Sequence, residues 1–149
     1  MNAGKRVFVD TNVLLYLVDR KDRERQARSA QWLDLLWQKG NGALSWQVLH
    51  EFYTNAVGKM KTDHEEARFL AGAFLDWRPV DSSPDLIQRA WRWMDTAGVS
   101  YWDALIVAAA EVSGSEILLS EDFQTGRRFG RIRVVNPFVT PPESLDLRG

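Results

Sequence analysis

A chain of 149 residues with 45% hydrophobic and 11% aromatic content suits one globular domain and excludes a disordered one. Its formal net charge of −1 excludes a strongly basic, constitutive nucleic-acid binder, though not an enzyme that meets nucleic acid locally. The absence of cysteine excludes disulfides, thiolate metal sites and thiol nucleophiles.

The chain opens with Val7-Phe8-Val9, β-branched and aromatic residues in a run too short for a helix. The run stops at Asp10. Thr11 and Asn12 follow, and Val13, Leu14, Tyr16 and Leu17 resume at helical spacing. A buried strand therefore delivers Asp10 to its C-terminal end, where α/β sheets form their ligand crevice. Asp10 can equally serve as a helix cap. The charges at Asp10 and Asp19 bracket this first apolar stretch, which is too short for a signal peptide or membrane span. The expectation is a cytoplasmic protein.

Residues 23–38 carry Ala27, Ala30, Leu33, Leu36 and Trp37 at helical spacing, and Gly40-Asn41-Gly42 ends that helix. Ala43-Leu44-Ser45 reads as a short strand. Trp46 to Met60 is helical, with Leu49, Phe52, Tyr53, Ala56 and Val57 as its apolar stripe. Asp63 caps a third helix, with Glu66 placed for a capping box. Pro79-Val80 reads as another short strand. Ser83-Pro84 opens a helix with the stripe Ile87, Ala90, Trp91 and Met94, ended by Gly98.

Ser100 caps a helix that is apolar nearly all round, from Ala104 to Val112, and such a helix belongs in the centre. Ile117-Leu118-Leu119 is a buried strand that stops at Ser120-Glu121-Asp122. Arg127 to Gly130 reads as a basic turn, Ile132 to Val135 as the last strand, and the segment from Thr140 to Gly149 as a loosely ordered tail. With strands alternating with helices and no interdomain linker, residues 1–149 form one α/β domain around a parallel sheet. If the strands ending in Asp10 and Asp122 are neighbours, those acids meet at one edge.

Carboxylates gathered in a crevice repel one another, and burial raises the cost of their charge. Such a cluster suits a divalent cation or a shared proton. Mg²⁺ takes hard oxygen ligands and retains water, and it activates water for attack on a phosphodiester.

Val7-Phe8-Val9-Asp10-Thr11-Asn12, His50-Glu51-Phe52, Tyr101-Trp102-Asp103-Ala104-Leu105-Ile106 and Leu118-Leu119-Ser120-Glu121-Asp122-Phe123 resemble, in order and spacing, the motifs of a PIN domain, most of all the toxins of VapBC-type toxin–antitoxin pairs. The resemblance implies a three-layer fold, a central mostly parallel sheet flanked by helices. It also implies a Mg²⁺- or Mn²⁺-dependent endoribonuclease acting on single-stranded RNA. Asp10, Glu51, Asp103 and Asp122 fall on the family's acidic positions, with Asp10, Asp103 and Asp122 as metal ligands. Asn12 and Ser120 match supporting polar positions, Ser120 standing where many members have Thr. A homodimer and a cognate antitoxin covering the groove are further implications.

From periodicity alone Glu51 is a solvated surface residue, and only the resemblance turns its face into a cleft. Asp103 lies three residues after Ser100 and can close a capping box while also serving as a ligand. His50 and His64 form no ligand pair. Arg127 and Arg128 are expected to position RNA phosphates, against the alternative of a solvated turn and an edge strand kept from aggregating by charge. Among the seven tryptophans, Trp93 lies with Leu86 on a stripe beside the Ile87/Trp91/Met94 face, and Trp32 and Leu35 lie off the Leu33/Trp37 face. These second stripes suggest burial by another chain, and packing on two sides within one domain explains them nearly as well.

Two other readings are weighed. A receiver-type signalling module pairs two acids early and adds a lysine after a late strand. Here Asp10 has no acidic neighbour and residues 120–126 contain no lysine. An inactive PIN-like scaffold that only binds RNA or protein is the second, opposed by the presence of all the acidic positions.

Overall fold

The computed structural model describes residues 4–145. Its centre is a five-stranded sheet of β1 (Val7–Val9), β2 (Gly42–Ala43), β3 (Ile117–Leu119), β4 (Arg128–Phe129) and β5 (Ile132–Val135), in the order β2-β1-β3-β5-β4. All neighbouring pairs are parallel except β4 with β5. Every residue of β1 and β3 is buried, so both faces of the sheet are covered, as a parallel sheet requires. The three-layer α/β expectation therefore holds.

Among the described residues, six α-helices supply the outer layers: α1 (Thr11–Leu15), α2 (Arg23–Lys39), α3 (Trp46–Gly58), α4 (His64–Phe74), α5 (Pro84–Ala97) and α6 (Tyr101–Val112). No helix among the described residues is long and apolar enough to cross a membrane. The expected caps form: Ser83 Oγ accepts from Leu86 N, Ser100 Oγ from Asp103 N, and Gly40 and Gly98 end α2 and α5 in the left-handed conformation. Asp63 caps α4 through Glu65 N, but Glu66 does not complete a capping box; it faces Arg20 at 3.4 Å instead.

Several expectations are corrected by packing. Arg128 and Phe129, expected in a turn, pair with Arg133 and Ile132 as an outer strand, because Phe129 is buried against Trp93 and Phe123. Of the expected Ala43–Ser45 and Pro79–Val80 strands, the first is shifted to Gly42–Ala43, and Ser45 and Val80 make a single parallel bridge. On α2, Trp32 is fully buried and Trp37 is 42% exposed, so of the two readings of that stripe it is packing within the domain that holds.

The same inversion holds on α5. Leu86 and Ala90 are buried, and Trp93 packs edge-on against Phe129 and donates to Glu111 Oε1 at 2.7 Å. The outward stripe is Ile87, Trp91 and Met94, with Trp91 55% exposed. Both stripes have helical spacing, and only the polar partner for the Trp93 indole ring separates them.

The segment expected to be loose from Thr140 is anchored as far as Leu145. Trp32 Nε1 donates to Thr140 O at 3.0 Å, Pro142 is buried and Leu145 packs on the core. Residues 146–149 lie outside the described residues.

Gly42 begins β2 directly beneath the Trp77 ring, where a methyl group would overlap the indole. Gly42→Ala is expected to lower stability by about 1–3 kcal/mol through overpacking. Gly58→Ala, in open space within α3, is expected to raise it by about 0.5–1 kcal/mol. Urea unfolding of the pair measures both signs.

Candidate active site

The parallel register Val9↔Leu119 aligns the C-terminal ends of β1 and β3. Asp10 N donates to Leu119 O at 3.0 Å and Ser120 N to Val135 O at 3.0 Å, so residues 10 and 120 leave the sheet side by side. There the Ser120 hydroxyl, fully buried, donates to Asp10 Oδ2 at 2.8 Å. Asp10 Oδ1 accepts Thr11 N at 2.8 Å and caps α1. Cap and site residue thus coincide in one carboxylate.

Asn12 ties the two strand ends together. Its Nδ2 faces Asp10 Oδ2 at 3.3 Å, Ser120 Oγ at 3.2 Å and Asp122 Oδ2 at 3.1 Å, and its Oδ1 accepts Glu121 N at 3.1 Å. Ser120 Oγ in turn accepts Asp122 N at 3.1 Å. Asp10 and Asp122 therefore converge on one amide group, as their positions after neighbouring strands imply.

Glu51 comes to the same place from α3. Thr11 Oγ1 donates to Glu51 Oε1 at 3.0 Å, a tie between the helix and the first turn of α1. The face of α3 that periodicity assigns to solvent looks onto this crevice. Asp103 stands apart: it is exposed in the first turn of α6, where its amide is capped by Ser100. Among the described residues, no hydrogen bond or ion pair ties its carboxylate to the other three.

Burial, more than any neighbour, pushes the Asp10 pKa from 3.8 up to about 6. The bonds from Ser120 and Thr11 pull it down, while the charge of Asp122 and then that of Glu51 add to the rise. The carboxylates supply only hard oxygen donors, the chemistry of Mg²⁺ or Mn²⁺. No three acidic or histidine side chains among the described residues stand close enough to cage a metal. The convergent pair Asp10 and Asp122 nonetheless fits a hydrated Mg²⁺, which typically binds through one or two carboxylates and keeps several waters.

Supporting contacts that sequence reasoning missed surround this pair. Glu121 Oε1 accepts the Tyr16 hydroxyl at 2.8 Å and Oε2 accepts Arg25 Nε at 2.8 Å, and the Arg25 guanidinium lies over the Tyr16 and Phe138 rings. Burial first, then the bond to Glu121, pushes the Tyr16 hydroxyl up to about 12. These contacts fix the segment after β3. No local pattern reveals them, because Tyr16, Arg25 and Glu121 are distant in sequence. Of the two arginines expected on RNA, Arg127 is engaged internally: it donates to Ala97 O at 2.7 Å and lies over the Phe129 ring. Arg128 is exposed.

The sequence profile of the PIN domain matches residues 7–132. No curated protein matches the chain. Among solved structures, the chain is similar to a toxin–antitoxin complex from Klebsiella pneumoniae, at 22% identity and a TM-score of 0.63, covering 88% of this chain and 97% of that one. It is also similar to the VapC20 toxin of Mycobacterium tuberculosis, which cleaves the sarcin–ricin loop, at 23% identity and a TM-score of 0.57, covering 78% and 91%. At those identities the two likenesses concern the fold.

The raised Asp10 pKa has a sign that stability can read. The native carboxyl keeps its proton to higher pH than the unfolded one, so stability is full below about pH 4 and falls as pH rises to about 6. The cost at neutral pH is at most about 3 kcal/mol. Asp10→Asn removes that cost, but with its amide nitrogen at the Oδ2 position the Asn12 amide is one acceptor short and the Ser120 hydroxyl must turn from donor to acceptor, a loss of about 1 kcal/mol. The metal-free variant is therefore expected to gain about 1–2 kcal/mol at pH 7.5 and to lose that advantage below about pH 4. Urea melts across pH measure it; a gain independent of pH would remove the buried charge from the account.

Proposed function

The chain belongs to the PIN domain family, and on that premise we propose that it is a metal-dependent endoribonuclease for single-stranded RNA, the toxin of a toxin–antitoxin pair. The observation that carries this is the buried Asp10 carboxylate locked to Ser120 and set beside Asp122 on the Asn12 amide. The two solved structures named above are a toxin and a toxin–antitoxin complex, which supports the toxin reading.

Asp10 and Asp122 would hold a Mg²⁺ or Mn²⁺ ion, with Asp103 as the outlying member of the ligand set. When bound, the cation neutralises charge on a phosphate and lowers the pKa of a water. The chain's own part is positioning. Ser120 and Thr11 fix both oxygens of Asp10, and Asn12 sets its distance from Asp122. Glu51, held by Thr11, presents a third acid at the crevice and would take up a proton there. Arg128, exposed, meets the RNA backbone, whereas Arg127 serves the fold.

An inactive scaffold is the competing reading. Keeping an ionised Asp10 buried costs stability that a scaffold has no reason to bear, which favours the nuclease. A cytoplasmic site of action goes with an RNA substrate, and a cognate antitoxin would cover the crevice. A homodimer is also proposed, now resting on Ile87, Trp91 and Met94, the apolar face that α5 leaves outward.

Mg²⁺ is expected to raise the melting temperature of the wild type, and to do so less for Asp10→Asn. Cleavage of single-stranded RNA by that variant should fall by orders of magnitude. Undiminished metal-dependent cleavage by Asp10→Asn would end the nuclease reading.

For the dimer, sedimentation should give twice 17.1 kDa. Trp91→Glu should shift it to monomer with the fold intact, whereas Trp93→Glu should instead lower the melting temperature, because that ring is packed on Phe129 and bonded to Glu111. A monomeric wild type at high concentration would refute the dimer.

A further inference from the structure

A cavity of about 650 Å³ opens between α3 and α6, and Glu51 is one of its walls. It adjoins the crevice, since that same Glu51 is bonded to Thr11 beside Asp10. Two exposed indoles stand at it, Trp46 at 37% and Trp102 at 64% exposure. Trp46 stacks on His50 with ring centroids 6.3 Å apart and 28° between planes. Gln47 Nε2 donates to Trp102 O at 3.4 Å, which ties α3 to the first turn of α6.

The charges decide what the cavity receives. Glu51 and Asp81 line it, and among its described lining residues there is no lysine or arginine. A phosphate would meet carboxylates with no fixed cation to answer it. A nucleobase would meet aromatic faces to stack on, and carboxylates that accept from its N–H groups.

Resting on the nuclease reading, we propose that this cavity is a base-binding subsite: one unstacked base of single-stranded RNA, next to the phosphate being cleaved, stacks on Trp102 and Trp46. Its backbone runs outside, toward Asp10 and Asp122. A base whose edge presents N–H donors, as guanine does, would find acceptors in the Glu51 and Asp81 carboxylates. Selection among RNA sites then begins one nucleotide from the reacting phosphate, in a wall made by two helices.

The test uses uncleavable 2′-O-methyl RNA hexamers and quenching of tryptophan fluorescence, with and without Mg²⁺. Trp102→Ala should weaken binding roughly five- to a hundredfold, the loss of one base–aromatic stack. Trp102→Phe should restore most of it. The salt dependence should stay unchanged, because no phosphate contact is lost. An abasic hexamer should bind poorly to the wild type and be insensitive to Trp102→Ala. Wild-type affinity in Trp102→Ala, or a salt slope lowered by a full charge, would overturn the proposal. So would a change in sedimentation, which would assign the cavity to a second copy of the chain. Failure of the nuclease reading shows differently: hexamers would bind with the Trp102 dependence intact, while Mg²⁺ would yield no cleavage of ordinary RNA.

Discussion

The bond from the Ser120 hydroxyl to the Asp10 carboxylate joins everything that matters in this molecule. It exists because β1 and β3 are parallel neighbours in register, so that their chains leave the sheet at the same level. A buried carboxylate without such a partner would be costly, and even with it Asp10 holds its proton to about pH 6. Asn12 then extends the pairing to Asp122 and to the amide of Glu121. Sheet register, the first turn of α1 and the segment after β3 are thus three views of one hydrogen-bonded unit.

The same unit explains why the crevice is an open acidic pair and not a closed cage. Glu51 is held by Thr11 from the neighbouring helix, and Asp103 stays in solvent at the start of α6. The carboxylates come from four different elements, each fixed by its own local contacts. Such an arrangement leaves the crevice open to water and to a substrate larger than the site.

Features governed by neighbours in sequence were legible. Val7–Val9 ends at Asp10, Ser83 and Ser100 cap their helices, and Ile117–Leu119 stops before Asp122, all through local propensity and capping. Features governed by tertiary context were not. Helical periodicity gives α5 two apolar stripes offset by one residue, and nothing local says that Trp93 finds Glu111 while Trp91 finds water. Trp32 looks surplus until residue 140 arrives to accept its indole N–H. Glu51 looks solvated until another helix supplies Thr11, and Arg127 looks free until Ala97 and Phe129 surround it. In each case a long-range polar partner decided the outcome, and the family resemblance recovered only Glu51.

The two margins of the sheet, β2 and β4, are each only two residues long. At the β2 margin Val80 occupies the next position, exchanging backbone bonds with Leu44 and Trp46, and at the other margin β4 carries an exposed arginine. A stray strand would find little ladder to extend and a charge in the way. The molecule is in effect sealed along its hydrogen-bonding direction. Growth into fibrils by strand addition is disfavoured at both margins.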